Sequence, residues 1–531
     1  MNEVRRTADS QTRRIGGQAR PEQEAKPESG GAWGGWRRKV RKCTLGNQGD
    51  RSWCWKEQGR SQRPHSSEEA SNDRGAKGGQ EGGSVKETQW QIKRPGVPKA
   101  KQGREGVPQW AWTEAEVWTE RMLATLERGS TGGKWYSLID KVWKRENLQR
   151  AVETVCRGKS QKKADGRRCR PYAERSDRRL PWLQPQVRSG QYQPQPAQRV
   201  RIPKPGSQEM RPLGIAPVEN RVVEQAILHV IEPIFERERA IHSYGFRPGR
   251  GAKDALRRVQ PLLKTGKHWV IDADLKGYFD RIPQDKLEAK LAERIADRAV
   301  LGLISRFLKQ GVMESGKGWT PTDKGTPQGA VLSPLLANLY LNPLDHRMAQ
   351  RGWEMVRYAD DFVVLCASRE QAEQALQQVR QWVAEAGLVL HPTKTRIVDA
   401  SQKGGFDFLG YHFERGYRWP RAKSLDKYKE AIRDQTRRNR PGSMQDIVRE
   451  VNRTVRGWGE YFQHSIGNIF PPLDRWVRGR LRTIQRKRHK GTGRARGRDQ
   501  QRWPNAYFAE LGLISLASIR AQAANAHARA H

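Results

Sequence analysis

Two pairs of aspartates have residue types and spacing that suit phosphoryl transfer. In MVRYADDFVVLC, Asp360 and Asp361 stand together between two short runs of strand-forming apolar residues. In HWVIDADL, the period of two in a strand puts Asp272 and Asp274 on one face, with Asp274 last. Ionised carboxylates beside a core are costly unless a cation or a donor network compensates them. Asp274, Asp360 and Asp361 could therefore converge on hard divalent cations.

Magnesium is the metal that this donor set favours. Mg²⁺ prefers a few carboxylates together with substrate phosphate oxygens. Two such ions about 3.5–4 Å apart stabilise the attacking and leaving oxygens of phosphoryl transfer. A single aspartate more often just ends a turn, but a strand end matched with an Asp-Asp hairpin favours the metal. We predict a site for two Mg²⁺ ions.

Alternating strands and helices would position these acids. HWVIDADL predicts a strand, MVRYADDFVVLC a hairpin and GAVLSPLLANLYLNPL a helix; another helix begins at the cap Ser368 and ends at Gly387. Upstream, helical spacing covers residues 110–129 and 134–155, RVRIPKPG alternates like a strand, and ENRVVEQAILHVIEPIFE has one apolar helical stripe. The basic stretch 157–181 has little periodicity and predicts a loop.

The charge indicates a polyanionic partner. The 531 residues carry 100 Lys and Arg against 58 Asp and Glu, a net charge of +42, which suits RNA or DNA. We find no apolar run that could cross a bilayer and no signal peptide, so no membrane is expected. The five cysteines are scattered without a C-x-x-C pair, which disfavours disulfides and zinc and suits a reducing cytoplasm.

The composition and the motifs divide the chain into five predicted segments. Residues 1–107 are too poor in large apolar residues to offset their ordering entropy. We predict a disordered basic segment there, which either contacts RNA or precedes a downstream translation start. The other segments are residues 108–260, residues 261–413 with both aspartate pairs, a basic helical segment (414–490) and a basic tail (491–531).

From about residue 134 to 476 the chain resembles the reverse transcriptases, or maturases, that group II introns encode. Seven stretches carry the resemblance in order: RIPKPGSQEMRPLGI, SYGFRPGR, DADLKGYFD, GTPQGAVLSPLLANLYLN, YADD, GLVLHPTKT and FDFLGYHF. Downstream, VNRTVRGWGEYFQHS and LDRWVRGRLRTIQRKRHK match the maturase, or X, domain. The resemblance implies an α+β right-hand polymerase: an N-terminal extension with fingers (108–260) and a palm with the YADD site (261–413), followed by an α-helical thumb (414–490). It also implies a bacterial cytoplasmic protein of the type that lacks an endonuclease domain.

The resemblance assigns roles residue by residue. Asp274, Asp360 and Asp361 match the Mg²⁺-binding catalytic triad. Asp272 matches no family ligand and is expected to lie behind the metal ligands. Lys394 matches a lysine that donates a proton to pyrophosphate. The nucleotide-binding positions are Lys204, Arg211, Phe279 (the gate against a 2′-hydroxyl), Gln328 and Gly329. The primer-grip positions are Phe408, Leu409, Gly410 and Tyr411. The RNA-binding candidates on the basic segment are Arg478, Arg482, Arg486, Lys487, Arg488 and Lys490.

The implied activity is RNA-directed DNA polymerisation together with binding of intron RNA, which assists splicing and mobility. The partners would be intron RNA, an RNA template, a DNA primer or target, and dNTPs. Alternatives stay open for single residues: Phe279 as a core aromatic, Lys394 as a phosphate contact, and residues 408–411 as an ordinary strand. Because the 157–181 stretch departs from the family pattern, a splicing maturase with impaired or no polymerase activity is the alternative function. A retron-type or diversity-generating enzyme is disfavoured by GWGEYF.

Overall fold

The computed structural model describes residues 110–157, 166–203 and 210–529. The segment predicted to be disordered, residues 1–107, lies outside the described residues, as does the predicted nucleotide ligand Lys204.

The N-terminal part of the described chain is mainly helical and ends in a strand pair and a long helix. Its elements are α1 (Glu120–Arg128), α2 (Ile139–Val142), α3 (Arg145–Cys156), α4 (Gly166–Glu174), α5 (Ser176–Arg188), β1 (Ala197–Pro203), β2 (Met210–Ile215) and α6 (Val218–Glu236). Helix α6 and the strand β1 follow the sequence prediction. The predicted helix over 110–129 is shorter, because only its second half is helical. The pattern over 134–155 is divided between α2 and α3.

The central part carries the acids. Its elements are α7 (Ala252–Lys264), β3 (Trp269–Asp274), α8 (Tyr278–Arg281), α9 (Gln284–Ala292), α10 (Arg298–Lys309), β4 (Val312–Glu314), β5 (Gly318–Thr320), α11 (Ser333–Gln350), β6 (Glu354–Tyr358), β7 (Asp361–Cys366), α12 (Arg369–Glu385) and β8 (Arg396–Asp399). The predicted strand at β3, the hairpin β6–β7 and the helices α11 and α12 are confirmed, with Ser368 accepting from Gln371 N at 3.2 Å as the α12 cap.

The C-terminal part begins with a three-stranded sheet and continues as helices. Its elements are β9 (Phe406–Phe408), β10 (Tyr411–Glu414), β11 (Tyr417–Pro420), α13 (Ala422–Gln435), α14 (Met444–Phe462), α15 (Phe470–Arg488), α16 (Gly497–Arg502), α17 (Asn505–Glu510) and α18 (Leu516–Arg529). The mixed α/β order followed by helices confirms the predicted fold class.

The palm sheet positions the acids by packing both of its faces. Its strand order is β6-β7-β3-β8, and all neighbours are antiparallel. Side chains alternate across the sheet, so Ile271 and Val364 join the core with α11 and α12. Val270 and Val363 face the other way, into a core shared with α7, β9 and β10. Two packed layers thus hold the strand ends that bear the carboxylates.

The fingers sheet crosses the predicted domain boundary. Its order is β2-β1-β4-β5, with β1 parallel to β4 at Ala197–Val312. The strands β4 and β5 come from the segment predicted as palm, 261–413, yet they complete the fingers. Conversely, α7 begins at Ala252, in the segment predicted as fingers, and packs on the palm sheet. Pairing distant in sequence therefore sets these boundaries.

The stretch 157–181, predicted as a loop, forms helices where it is described. Helices α4 and α5 bury Cys169, Tyr172, Leu180, Leu183 and Val187, each at most 7% exposed. These apolar residues recur at helical spacing, but the many arginines between them hide the pattern. The loop prediction is wrong there because a narrow apolar stripe is enough to pack a helix against α3 and α6.

In the segment predicted as a basic tail, 491–531, the described residues up to 529 form part of the thumb. Trp503, Phe508 and Leu516 are buried in the same core as α14 and α15. The Asp474 carboxylate of α15 accepts from Leu516 N at 2.8 Å and from Ala517 N at 3.1 Å, which caps α18. This cap and the apolar contacts turn the tail into a structural part of the domain.

Candidate active site

The YADD turn closes the hairpin β6–β7 and faces the end of β3. Tyr358 pairs with Asp361 across the hairpin, so Ala359 and Asp360 form a two-residue turn. Asp361 is also the direct neighbour of Asp274 on β3. Directly opposed residues in a sheet point to the same face. The register therefore brings Asp274 and Asp361 together, with Asp360 adjoining them.

Burial and mutual repulsion both oppose ionisation of the paired acids. Burial first, and then the charges of Asp272, Asp360 and Asp274 in that order, together raise the pKa of Asp361 to about 7. Burial also raises the pKa of Asp360, with Asp274 adding to it. These carboxylates stay ionised at neutral pH only if positive charge is brought to them.

Lys394 lies against the first acid of the triad. Its Nζ donates to Asp274 Oδ2 at 2.6 Å. The loop that carries it is tied to the end of β3, because His391 N donates to the Asp274 carbonyl at 2.7 Å. Asp272 instead faces Arg396, whose Nε lies 3.4 Å from Asp272 Oδ2. Asp272 thus has its own cation, set back from the turn.

The donor set suits Mg²⁺ without forming a ready cage. Among the residues that the structure describes, no three His, Cys, Asp or Glu side chains converge into a preformed metal-binding group. The fit rests on the acids themselves: Asp361 and Asp360 are hard oxygen donors, held in a buried position and repelling one another. Mg²⁺ is commonly held by one or two carboxylates plus substrate phosphates, so the set fits this ion.

The GTPQG loop packs against the residues that follow β3. Gln328 Nε2 donates to Asp280 Oδ2 at 2.9 Å, and the Gln328 carbonyl accepts from Gly214 N at 2.7 Å. Gly329 has φ +104°, and a Cβ there would lie 2.5 Å from Gly214 O, so only glycine fits. The loop therefore links β2 of the fingers to α8 of the palm, the short helix that bears Phe279.

Phe279 lies at the centre of this contact. Its carbonyl accepts from Thr326 N at 2.7 Å, and its ring lies 5.5 Å from the Tyr278 ring. Phe279 is half-buried, so part of its ring stays open beside the acid-bearing strand end. The sequence predicted either a gate against a 2′-hydroxyl or a core aromatic at this position. A half-buried ring that packs on Tyr278 is compatible with both roles.

Arg211 brings positive charge towards the turn from the fingers. It lies on β2, opposite Ile202, with an exposed side chain. Its charge lowers the pKa of Asp360, although burial and Asp274 raise it more. Arg211 is therefore close enough to the acids to act on an anion bound there.

The predicted primer-grip residues divide into buried and accessible ones. Phe408 and Tyr411 are at most 1% exposed and lie in the core beneath the palm sheet. Leu409 and Gly410 form the turn between β9 and β10, with φ +48° and +85°. Tyr461 Oη donates to the Leu409 carbonyl at 2.7 Å, which ties the turn to the thumb. Only the turn itself could touch a primer.

The predicted RNA-binding residues also divide. Lys487, Arg488 and Lys490 are exposed, and Arg478 and Arg486 are half-buried. Arg486 is paired with Asp499 at 2.8 Å, and Arg488 donates to the Gly442 carbonyl at 2.6 Å.

Arg482 does not belong in the RNA-binding set. Its side chain is buried, with Nε donating to the Trp503 carbonyl and Nη2 to Asn505 Oδ1, both at 2.8 Å. Its guanidinium also lies over the Phe508 ring. Arg482 therefore joins α15 to α17, and the sequence prediction for it is corrected.

Two buried charged residues near the site escaped sequence reasoning. Arg357, inside MVRYADD, is 0% exposed, although the strand around it is apolar. Glu224 of α6 is 1% exposed and accepts from Val331 N at 2.7 Å, just after the GTPQG loop. A charge inside an apolar strand or helix face was the available signal in both cases.

The comparisons with known proteins agree with this arrangement. Residues 202–413 match the family model described as reverse transcriptase (RNA-dependent DNA polymerase), and residues 425–503 match the group II intron, maturase-specific domain. Within the described residues, no helix is long and apolar enough to cross a membrane.

Individual relatives cover different shares of the chain. Protein YkfC of Escherichia coli (strain K12) is 33% identical over 272 residues, which span 44% of this chain and 70% of YkfC. Group II intron-encoded protein LtrA of Lactococcus lactis subsp. cremoris is 38% identical over 164 residues, spanning 31% of this chain and 27% of LtrA. A solved partial Cas6-RT-Cas1--Cas2 complex matches 47% of this chain and 41% of its own at 26% identity, with a TM-score of 0.28.

The opposed acids on a palm sheet, the fingers loop against them and the helical thumb define a template-dependent polymerase of the right-hand class. With both family models matched in order, the chain belongs to the group II intron-encoded reverse transcriptases, or maturases.

Proposed function

We propose that the protein is the RNA-directed DNA polymerase of a group II intron and that it also binds intron RNA to assist splicing and mobility. The observation that carries the proposal is the register that sets Asp361 directly against Asp274, with Asp360 in the adjoining turn. An RNA template, a DNA primer or target, and dNTPs are the proposed substrates. These partners suit a bacterial cytoplasmic protein.

In this proposal Asp274, Asp360 and Asp361 hold two Mg²⁺ ions. When bound, the ions neutralise the charge that develops on the phosphate oxygens during nucleotidyl transfer. Arg211 and Lys204 bind the triphosphate of the incoming dNTP, since guanidinium and ammonium groups form charge-assisted hydrogen bonds with phosphate. The primer 3′-hydroxyl attacks the α-phosphate, and pyrophosphate leaves.

The remaining residues select the incoming nucleotide, assist release of pyrophosphate and support the primer. In the proposal Phe279 excludes a 2′-hydroxyl, and the backbone at Gln328 and Gly329 supports the new base pair. Lys394 exchanges its Asp274 partner for the leaving pyrophosphate and gives it a proton, which is general-acid work. The Leu409–Gly410 turn supports the primer strand.

The helical thumb is the proposed platform for intron RNA. Its exposed cations Lys487, Arg488 and Lys490 project from the C-terminal end of α15, and Arg478 lies two to three turns earlier on the same helix. Phosphate contacts of this kind bind RNA with a strong salt dependence.

A primer-extension assay on an RNA template, with Mg²⁺ and dNTPs, tests the polymerase. We expect extension by the wild type and loss of about 100-fold or more in Asp361→Asn, which keeps the shape but removes a charge. Asp426→Asn, an exposed acid on α13, is the matched control and should extend normally.

The alternative function has its own signature in the same assay. Helices α4 and α5 are packed into the fingers core, which weakens the case for impaired fingers. If the wild type binds intron RNA tightly but extends primers no better than Asp361→Asn, the protein is a splicing maturase and the polymerase proposal fails.

A further inference from the structure

We propose that the SYGFRPGR loop, through Gly245, and the buried Arg357 are positioning elements that fix the YADD turn and so aim Asp360 and Asp361. The inference rests on the proposed polymerase function. It assigns a task to a motif in which the sequence analysis identified no candidate site residue.

The loop is registered on the strand that leads into the turn. Arg357 N donates to the His242 carbonyl at 3.0 Å, and Tyr244 N donates to the Arg357 carbonyl at 2.8 Å. These two bonds make Ser243 and Arg357 a parallel bridge at the free edge of β6. Backbone pairing thus fixes the loop to Arg357, which is two residues before Ala359.

Gly245 then touches the turn itself. A Cβ at position 245 would overlap Ala359 N and would lie only 2.9 Å from Tyr358 C, so neither atom leaves room for it. Both are backbone atoms, which cannot swing away as a side chain can. Asn338 Nδ2 of α11 donates to the Gly245 carbonyl at 2.7 Å and holds the glycine in place. Any side chain at 245 would therefore push the catalytic turn.

Arg357 holds the same turn from inside the protein. Its Nη1 donates to the Ala359 carbonyl and to Asn338 Oδ1, both at 2.8 Å. The guanidinium is oriented by Asp345, with Nε to Oδ1 at 2.8 Å and Nη2 to Oδ2 at 2.5 Å. Bidentate pairing of this type fixes geometry as well as charge. Asn338 joins the two supports, because it contacts both Gly245 and Arg357.

The turn needs this support because its backbone is strained. Ala359 has φ +60°, a left-handed conformation that is unfavourable for an L-residue with a Cβ. Phe246, next to Gly245, has φ +54° as well. Such residues persist only where surrounding contacts determine them, and they concentrate at functional sites. Here the strained residues occupy the two segments that press against each other.

Arg247 anchors the loop rather than reaching for nucleic acid. Arg247 Nη2 lies 2.6 Å from Glu236 Oε1, and its Nη1 donates to the carbonyls of Ala240 and Ser243 at 2.7 Å. Arg247 is 7% exposed, so it serves to hold the loop at the palm edge.

The test compares two substitutions in the same loop. Gly245→Ala adds a methyl group against the turn, whereas Gly249→Ala, at φ +68° with nothing within 4 Å, adds backbone strain without a contact. We expect Gly245→Ala to lower kcat for primer extension about 100-fold, as a misplacement of about 1 Å does. KM for dNTP and the Kd for primer–template should change less than about 2-fold, and Gly249→Ala should keep wild-type kcat. Equal kcat in both variants, or a loss carried by Kd, overturns the proposal.

A second measurement does not depend on polymerase activity. Fe²⁺ supplied in place of Mg²⁺, with ascorbate and peroxide, cleaves a backbone next to the ion that it binds. In the wild type we expect cleavage at residues 359–361 that is lost in Asp361→Asn, and at least about 5-fold weaker cleavage in Gly245→Ala than in Gly249→Ala. Undiminished cleavage in Gly245→Ala refutes the positioning role. Wild-type cleavage without primer extension refutes the proposed function instead.

Asn338→Ala provides a variant that adds no volume. It removes the bonds to Gly245 and Arg357 together, so we expect a kcat loss of about 10-fold or more and weaker Fe²⁺ cleavage. Thermal unfolding of each variant reports folding. If Asn338→Ala stays folded and retains wild-type kcat, the hydrogen bonds of Asn338 to Gly245 and Arg357 have no part in positioning the turn.

Discussion

At the scale of single residues, the chemistry depends on charges kept where water is scarce. Asp361 and Asp360 gain from a divalent ion because burial raises their pKa values and no described side chain forms an ion pair with either. Lys394 Nζ lies 2.6 Å from Asp274 Oδ2 and forms an ion pair with it. Partial or full burial also leads to testable predictions for Phe279 and Glu224.

Phe279 offers a prediction about sugar selection. Phe279→Ala should raise incorporation of ribonucleotides relative to deoxyribonucleotides about 10-fold or more, because the ring that would meet a 2′-hydroxyl is removed. Competitive incorporation of rNTP and dNTP on one template measures the ratio. Tyr278→Phe, which keeps the neighbouring ring, is the control for local packing. An unchanged ratio in Phe279→Ala would leave the residue as a core aromatic.

Glu224 predicts a pH dependence of stability. Burial raises its pKa from 4.5 to about 7, against the lowering effects of the Val331 N–H and Arg221. Below about pH 4.5 both the folded and the unfolded chain carry the proton. Between that pH and about pH 7 only the folded chain keeps it, so stability falls as pH rises through this window and levels off above it.

Glu224→Gln removes this loss and keeps an oxygen that can accept from Val331 N. Relative to the wild type, the free energy of unfolding of the variant should rise by on the order of 3 kcal/mol from about pH 5 to about pH 8. Urea unfolding at both pH values measures it. Because Glu232 titrates similarly in both proteins, its effect cancels. A pH-independent difference between the two proteins would contradict the prediction.

At the scale of elements, packing decides which charges are free. The helix α15 carries a dense run of Lys and Arg, but its buried side faces α16, α17 and α18. Arg482 and Arg486 point inward to carbonyl and carboxylate partners, whereas Lys487 and Lys490 point outward. Truncation before Trp476 would therefore dismantle the thumb rather than simply remove an RNA-binding tail.

Arg482→Ala should destabilise the thumb without a specific effect on RNA contacts. The buried Trp503 carbonyl loses its donor, which costs about 1–3 kcal/mol in the free energy of unfolding. Lys487→Ala, its exposed neighbour on α15, should change stability by less than about 0.5 kcal/mol. Chemical unfolding followed by Trp fluorescence compares the two. Equal stability of both variants would show that Arg482 is dispensable to the fold.

At the scale of the whole molecule, the net charge of +42 sets a long-range attraction for nucleic acid. That attraction explains affinity for a polyanion but not where the polyanion lies. Location depends on the exposed cations of each face, and the thumb face that follows α15 is the proposed one for intron RNA.

Removing two exposed charges from that face tests the location. The double variant Lys487→Ala/Lys490→Ala should bind a group II intron RNA more weakly and reduce the slope of log Kd against log salt by about 1.5. Lys253→Ala/Lys264→Ala, with two exposed lysines on α7, removes the same charge from another face and should leave the slope closer to the wild type. The same slope in both double variants would place the RNA elsewhere.

Sequence periodicity was enough to predict the strands that carry the acids. Alternation in HWVIDADL and MVRYADDFVVLC gave the strands, and their order predicted that Asp274 would meet the Asp360–Asp361 pair, as the register has it. Prediction failed where pattern and environment diverge. The 157–181 stretch hides a helical stripe among arginines, and Arg482 sits in a basic run but points inward.

By itself, then, the sequence determined local structure and the chemistry of the site, because strand period and carboxylate pairs are properties of neighbouring residues. Only the tertiary structure decided which strands complete the fingers, which cations of α15 stay free, and that Gly245 and Arg357 converge on Ala359. Apart from the hydrogen bond between Arg357 and Ala359, which are two positions apart, these facts depend on contacts between residues about 20 to more than 100 positions apart. Chain folding rather than local preference brings such residues together.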